Sequence, residues 1–514
     1  MRRAGFHRWV TIGAVAASSI LVLSGCVTGS AVTKNSRGVE PVPQSLAKFY
    51  DQKLAWSGCE SGGLTCASAT VPIDWAHPSA GTLKLALIRH VTTSTTRVGS
   101  LLLNPGGPGG SGYDMVSQSL TGATDSALRT SFDIVGWDPR GVGRSSPISC
   151  LGNSQMDAFL YAVPSAPEGS DAWLASRVPI EKNYAAACVK NTGALLGHID
   201  AESNARDMDL LRAVLGDSKL NYLGFSYGTF FGAHYAELFP KNVGRLVLDG
   251  PVDPSITEPV DFTTQMGGFE SSFRAYIADC LAGSACPFSG TVDDALAQAR
   301  ALIATVGSES LTSADGRTLT LGTLGTAISY PLYSKDSWPD LSQMFQGLQK
   351  GSAVVAFQFA DGYNGRNTNG QFSEQTNVYT AALCLDGVFP QTLAGTRATM
   401  DTIDAAAPTI GAIFSYSDWV HVDIACQNWP YAPVLHPEEI HAKGSAPIMV
   451  VGTTDDPATP YAGAVSLAKQ LESGHLVTRK GEGHTAYGSG NSCIDRTVDS
   501  YLVSGTIPAK DPLC

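Results

Sequence analysis

The pentapeptide Gly224-Phe225-Ser226-Tyr227-Gly228 sets one hydroxyl between two glycines. A short apolar run (Leu220, Tyr222, Leu223) precedes it, and a helix-compatible segment, Thr229 to Phe239, follows. A serine at a sharp strand-to-helix turn is forced into strained backbone, and small residues two positions either side let strand and helix pass closely. The hydroxyl then stands clear of the chain, and the amide of Tyr227 can face a developing oxyanion. This is the chemistry of a nucleophile in acyl transfer. With 54 glycines in 514 residues the pattern alone is weak, because a Gly-rich turn between strand and helix reads the same.

Serine needs a base, and the base needs an orienter. For a nucleophile at such a turn the chain order is Ser, then Asp or Glu, then His. Past the apolar run Ala446 to Gly452 comes the acidic pair Asp455-Asp456, and past Leu476 to Arg479 comes His484, between Gly483 and Thr485. Both follow a strand end. The order assigns Ser226 as nucleophile, Asp456 as orienter and His484 as general base. Asp455 competes with Asp456, and Asp249, which ends another apolar strand, is a third candidate. His234, His421 and His475 lack so clear a strand-end position.

The elements that must position these groups alternate. Leu83 to Val91, Ser100 to Asn104, Phe132 to Trp137, the elbow strand and Arg245 to Asp249 read as strands. Asn204 to Leu215 reads as an amphipathic helix stopped by Gly216. Strands alternating with helices imply an α/β fold, a mostly parallel sheet with helices on both faces. The alternation lapses from 252 to 444 and then resumes. The expected organisation is a core over 46–251 and 445–514, with 252–444 as a cap inserted at the carboxyl edge of the sheet, where such folds place ligands. The loop Pro105 to Gly112, PGGPGGSG, opens directly from a buried strand and lets backbone amides approach a ligand without obstruction.

At the N-terminus Arg2, Arg3 and Arg8 precede the apolar run Trp9 to Leu23 and then Ser24-Gly25-Cys26. This reads as an export signal over 1–25, too short to cross a bilayer comfortably, with a linker over 26–45. Leu23-Ser24-Gly25-Cys26 resembles the lipobox of bacterial lipoproteins, which implies cleavage before Cys26, lipid attachment to its thiol and a membrane-anchored, exported protein. Losing 1–25 removes three arginines and no acid, so the net charge moves from −12 to −15. No basic run or basic–aromatic stripe stands out, which argues against nucleic acid as a partner. Cys26 aside, ten cysteines remain, an even number in an exported chain. Spacing does not fix connectivity; pairing of neighbours gives Cys59–Cys66, Cys150–Cys188, Cys280–Cys286, Cys384–Cys426 and Cys493–Cys514. Neither C-x-x-C nor H-E-x-x-H occurs, so no metal or other cofactor is expected.

Taken together, NPGGPGGSG (104–112), WDPRGVGRS (137–145), GFSYGT (224–229), LDGPVDP (248–254), DPATPY (456–461) and GHTAY (483–487) resemble the tripeptidyl-aminopeptidase group of α/β-hydrolase proteases, exported relatives of the prolyl aminopeptidases. The resemblance spans nearly the whole mature chain. It implies an α/β-hydrolase fold and the roles of Ser226, Asp456 and His484 given above, with Gly107 and Tyr227 supplying oxyanion-hole amides. Pro105 stands where the broader prolyl-aminopeptidase pattern has His, and the tripeptidyl group shares this Asn-Pro form. The implied substrates are peptides or proteins with a free N-terminus, shortened by a few residues at a time. Such an activity requires a carboxylate at a fixed distance from Ser226 to meet the α-ammonium, with Glu374, Asp386 and Asp423 as candidates. The rival readings are an esterase using the same three residues and a catalytically silent envelope-binding protein.

Overall fold

The computed structural model describes residues 42–308 and 311–514. The leader, Cys26 and most of the linker lie outside the described residues. Among the described residues nine strands form one sheet in the order β1-β2-β3-β5-β4-β6-β7-β8-β9. They are β1 (Ser57–Gly58), β2 (Thr65–Pro72), β3 (Thr82–His90), β4 (Gly99–Asn104), β5 (Phe132–Trp137), β6 (Leu220–Phe225), β7 (Val243–Asp249), β8 (Ile448–Asp455) and β9 (Gly474–Glu482). The first three strands pair antiparallel, as does β3 with β5, and every pairing from β5 through β9 is parallel.

Period-two alternation divides each central strand between two apolar layers. Leu102, Tyr222, Leu246 and Leu248 pack on one face with the helices Ala201–Val214 and Tyr227–Leu238. Leu101, Leu103, Leu223 and Val247 pack on the other with Gly112–Ala123 and Ser492–Ser504. This is the α/β-hydrolase fold. The segment TCASATVP is small and polar and gives little strand signal alone. It becomes β2 because it pairs with β3 along its whole length, from Thr65 opposite Arg89 to Pro72 opposite Thr82.

Between β7 and β8 the described residues add no strand to the sheet and build helices from Glu258–Ala282 to Val420–Gln427. Their apolar faces close on a separate core that includes Phe262, Phe273, Tyr276, Phe345 and Trp419. Tyr161, Trp173 and Leu174 join the same core. These come from the helices Asn153–Tyr161 and Asp171–Thr192, which precede the elbow, so the cap-like region is built from two helical insertions. Disulfides join Cys150 to Cys188 in the first insertion, and Cys280 to Cys286 and Cys384 to Cys426 in the second. Cys59–Cys66 and Cys493–Cys514 lie at the β1–β2 turn and at the C-terminal tail. No helix of the described residues is long and apolar enough to cross a membrane.

The loop after β5, carrying the WDPRGVGRS motif, is held by Arg140. Its Nε and Nη2 donate to Asp207 at 2.8 and 2.7 Å, and Nη1 donates to the carbonyls of Ile73 and His198, each at 2.8 Å. Nη2 also reaches the Pro72 carbonyl at 3.2 Å, so every guanidinium hydrogen has an acceptor. Both side chains of the pair are fully buried. The contact fastens the end of β2, the loop after β5 and the helix below the elbow into one body. Replacing one member leaves the other charge buried without an opposite charge, Asp207 then keeping only the Trp75 indole N–H at 3.1 Å among its side-chain donors. Arg140→Ala should therefore lower the free energy of unfolding by roughly 3–5 kcal/mol, read from chemical denaturation, whereas a loss under 1 kcal/mol would mean that the pair contributes little.

Candidate active site

Ser226 sits between β6 and the helix Tyr227–Leu238 with φ 53° and ψ −128°, a left-handed conformation that a residue with a side chain rarely adopts. The flanking glycines are required by contact. A Cβ on Gly224 would lie 2.7 Å from the Gly228 carbonyl oxygen, and one on Gly228 would lie 2.7 Å from Asn104 Oδ1. The glycine-rich loop after β4 presses on the same turn. Gly106 has φ +87°, and a Cβ there would stand 2.8 Å from the Tyr227 amide nitrogen and 3.0 Å from Ser226 Cβ. Asn104 Oδ1 accepts the Gly106 amide at 2.8 Å and shapes the loop from below. The two glycine motifs, distant in sequence, thus meet at the serine.

The acidic pair separates cleanly. Asp455 completes β8 and is exposed, its carboxylate bonded to the neighbouring Thr454 hydroxyl at 2.7 Å. Asp456 is buried and turns inward, with Oδ1 and Oδ2 at 2.9 and 3.1 Å from His484 Nδ1. Its carboxylate also accepts the amides of Ala458 at 3.0 Å and of Thr459 and Thr485 at 2.9 Å each. A carboxylate so supplied with donors fixes the tautomer of the ring it faces: Nδ1 carries the proton and Nε2 is the basic nitrogen. Burial lowers the proton affinity of His484. The charge and hydrogen bond of Asp456, with a further push from Asp249, outweigh that, and the pKa stands above the ordinary histidine value.

Ser226 and His484 line one cavity of about 630 Å³, together with Gly107 and Tyr227. The ring's hydrogen bonds run to Asp456 and Thr459 and, among the described residues, none runs to the Ser226 hydroxyl. In unliganded enzymes such catalytic contacts are often long and tighten with substrate. Of the histidines set aside above, His421 also lines this cavity, whereas His234 and His475 do not. His234 is buried on the helix after the elbow, where desolvation lowers its pKa to about 4. His421 is held between Glu181 at 2.8 Å and Thr380 at 2.9 Å within the cap, and His475 lies inside β9.

The cap forms part of the cavity wall. Tyr333 accepts the His484 amide on its carbonyl at 2.9 Å and packs edge-on against the imidazole, with ring centroids 5.3 Å apart. No motif announces Tyr333, and only its spatial position reveals it. Of the three candidate carboxylates, Glu374 is bonded to the Gly143 amide and Asp423 is buried among cap helices, and neither lines the cavity. Asp386 does line it, but it accepts the Tyr227 hydroxyl at 2.5 Å and the Ala201 amide at 2.9 Å. It fastens the cap to the residue after the serine. Other cap acids on the wall, Asp261 and Asp418, have no ion-pair partner among the described residues.

Comparison with known proteins agrees with this geometry. A family model described as TAP-like protein matches residues 412–514. Serine protease Hip1 of Mycobacterium tuberculosis is 33% identical over 536 residues, covering 100% of this chain and 99% of its own. Carboxylesterase B of the same species is 36% identical over 452 residues, 87% of this chain and 86% of its own. Tripeptidyl aminopeptidase of Streptomyces lividans is 31% identical over 478 residues, 90% of this chain and 86% of its own. With a full-length relative at this identity, and a serine elbow and buried Asp–His pair opening on one cavity, the chain belongs to the tripeptidyl-aminopeptidase-like family of α/β-hydrolase-fold serine hydrolases.

Proposed function

We propose that this serine hydrolase is an exported, lipid-anchored exopeptidase that releases short, tripeptide-type segments from free N-termini. Ser226 attacks the scissile carbonyl while His484 Nε2 takes its proton, and Asp456 stabilises the imidazolium that forms. The amides of Gly107 and Tyr227 stabilise the oxyanion. His484 then protonates the leaving amine, and water, activated by the same ring, resolves the acyl-enzyme.

The observation that carries the peptidase reading is the finite cavity over Ser226, about 630 Å³ and walled by cap side chains. Such a volume is that of a small-ligand site and holds a few residues of peptide, not a continuing chain. Its wall includes Glu258, Asp261, Asp386 and Asp418 from the cap, and among the described lining residues Arg177 is the single Lys or Arg, itself paired with Glu181. Burial raises the pKa of Glu258 to about 8 and that of Asp386 well above its ordinary value. Near neutral pH the negative charge on the wall therefore comes from Asp261 and Asp418, each raised only to about 6, and it favours an α-ammonium over a carboxylate in the acyl-side segment. The names of two relatives, a serine protease and a tripeptidyl aminopeptidase, agree with this. The name carboxylesterase B supports a second reading, acyl-ester hydrolysis by the same residues. The anchor rests on the lipobox-like stretch ending at Cys26.

Parallel assays on unblocked tripeptidyl amides, N-acylated peptides and short-chain aryl esters separate the readings. Turnover of the unblocked amides, with tripeptides identified by mass spectrometry and N-acylation abolishing it, is the expected outcome; turnover of esters alone would end the peptidase reading. Ser226→Ala should lower kcat by about 10⁴-fold or more and abolish fluorophosphonate labelling.

The base must be neutral to act. Because the pKa of His484 is raised, kcat/KM should fall as the pH drops, with a midpoint above the ordinary histidine value of 6.5. A midpoint well below 6.5 would contradict the pairing with Asp456.

A further inference from the structure

A second carboxylate lies behind the Asp456–His484 pair. Asp249 ends β7 and is fully buried. Its main-chain carbonyl accepts the Ser226 amide at 2.9 Å, which belongs to the pairing of β6 with β7. Its side chain does something the sheet does not require. Oδ1 accepts the Ala486 amide at 2.9 Å, and Oδ2 accepts the Tyr487 amide at 2.7 Å. Those amides belong to the second and third residues after His484. One residue therefore touches both the turn that carries the hydroxyl and the loop that carries the imidazole.

The next residue shows how closely this corner packs on the ring. Gly250 has φ +66°, and a Cβ there would lie 2.9 Å from Thr459 Oγ1, 3.1 Å from Thr485 Cγ2 and 3.4 Å from His484 Cε1. A side chain at this positive φ would press on the residues that surround the ring.

A neutral acceptor could receive two amides at far lower desolvation cost than a carboxylate. Among the described residues Asp249 forms no ion pair with Lys or Arg. The charged groups facing it are Asp456 and His484, and the other side chains at this corner, Thr459 and Thr485, are neutral. Burial raises its pKa to about 7, the two amides pull it down, Asp456 adds to the rise and His484 opposes it. In return Asp249 raises the pKa of His484. The use for a charge at this position is the imidazole beside it.

We propose that Asp249 is a positioning residue for His484, fastening the 484–487 loop against the serine turn and adding a second negative charge that favours the imidazolium. It makes no contact with substrate. The inference rests on the reading of His484 as the general base, which is checked separately by loss of fluorophosphonate labelling in His484→Ala.

Asp249→Asn removes the charge and keeps one oxygen, which in the place of Oδ2 can accept both loop amides, while its NH2 replaces Oδ1 opposite the Ala486 amide. Sites are counted by fluorophosphonate titration, so that loss of folded protein does not enter kcat. Without the charge the imidazolium is less favoured, so the acid limb of kcat/KM should move to lower pH by about half a unit. The value of kcat at its optimum should fall by about 10-fold, with KM within about twofold of wild type. An unchanged acid limb and unchanged kcat per site would overturn the proposal, and so would a loss confined to thermal stability. The wild-type protein offers an independent measurement should the variant not fold. The Ala486 and Tyr487 amides, followed by hydrogen exchange, should be protected across the pH range in which His484 titrates. Free exchange of both amides, with labelling still dependent on His484, would overturn the role of Asp249 and leave the general base intact.

Discussion

The hydrogen bond between Asp456 and His484 Nδ1 is the contact on which the rest of the site depends. A buried carboxylate is unfavourable unless donors surround it, and here three backbone amides and a ring N–H do so. Two of those amides belong to the loop after β8, and the third, from Thr485, belongs to the loop after β9. The carboxylate thus cross-links two strand ends while it sets the tautomer of the ring. Parallel pairing of β8 and β9, from Ile448 opposite Gly474 onward, delivers both loops to the same edge of the sheet. The architecture is what makes a short Asp–His contact available to residues 28 positions apart.

The serine is served by the opposite device, close approach of backbone without side chains. Gly106, Gly224 and Gly228 each occupy a place where a Cβ would collide with main-chain or polar atoms of the turn. The positive φ of Ser226 is conformational strain, of order 1–3 kcal/mol, held by the packing of β6 against its helix and by the loop from β4. Strain at Ser226 and saturation of the carboxylate are complementary: one turns a hydroxyl toward the cavity, and the other keeps an imidazole still.

Much of this was legible in the sequence because it is local. The glycine spacing around Ser226, the buried runs that became β4, β5, β6 and β7, and the strand-end positions of Asp456 and His484 all declare themselves within a few residues. What was not legible depends on partners far along the chain. The segment that forms β2 has weak propensity and is a strand through its pairing with β3. The helices Asn153–Tyr161 and Asp171–Thr192 carry no motif, yet Tyr161 and Trp173 complete the cap core. Asp386 reads from sequence as a free cap carboxylate. In the fold it is bonded to Tyr227 and Ala201, contacts that span 159 and 185 positions.

The hydrogen bond from the His484 amide to the Tyr333 carbonyl, with the edge-on packing of the two rings, makes the cap part of what holds the imidazole. An excursion of the lid that carries Tyr333 away also withdraws an anchor from the imidazole. The orientation of the imidazole is thereby tied to the seating of the cap helix Leu321–Leu332, at whose end Tyr333 stands.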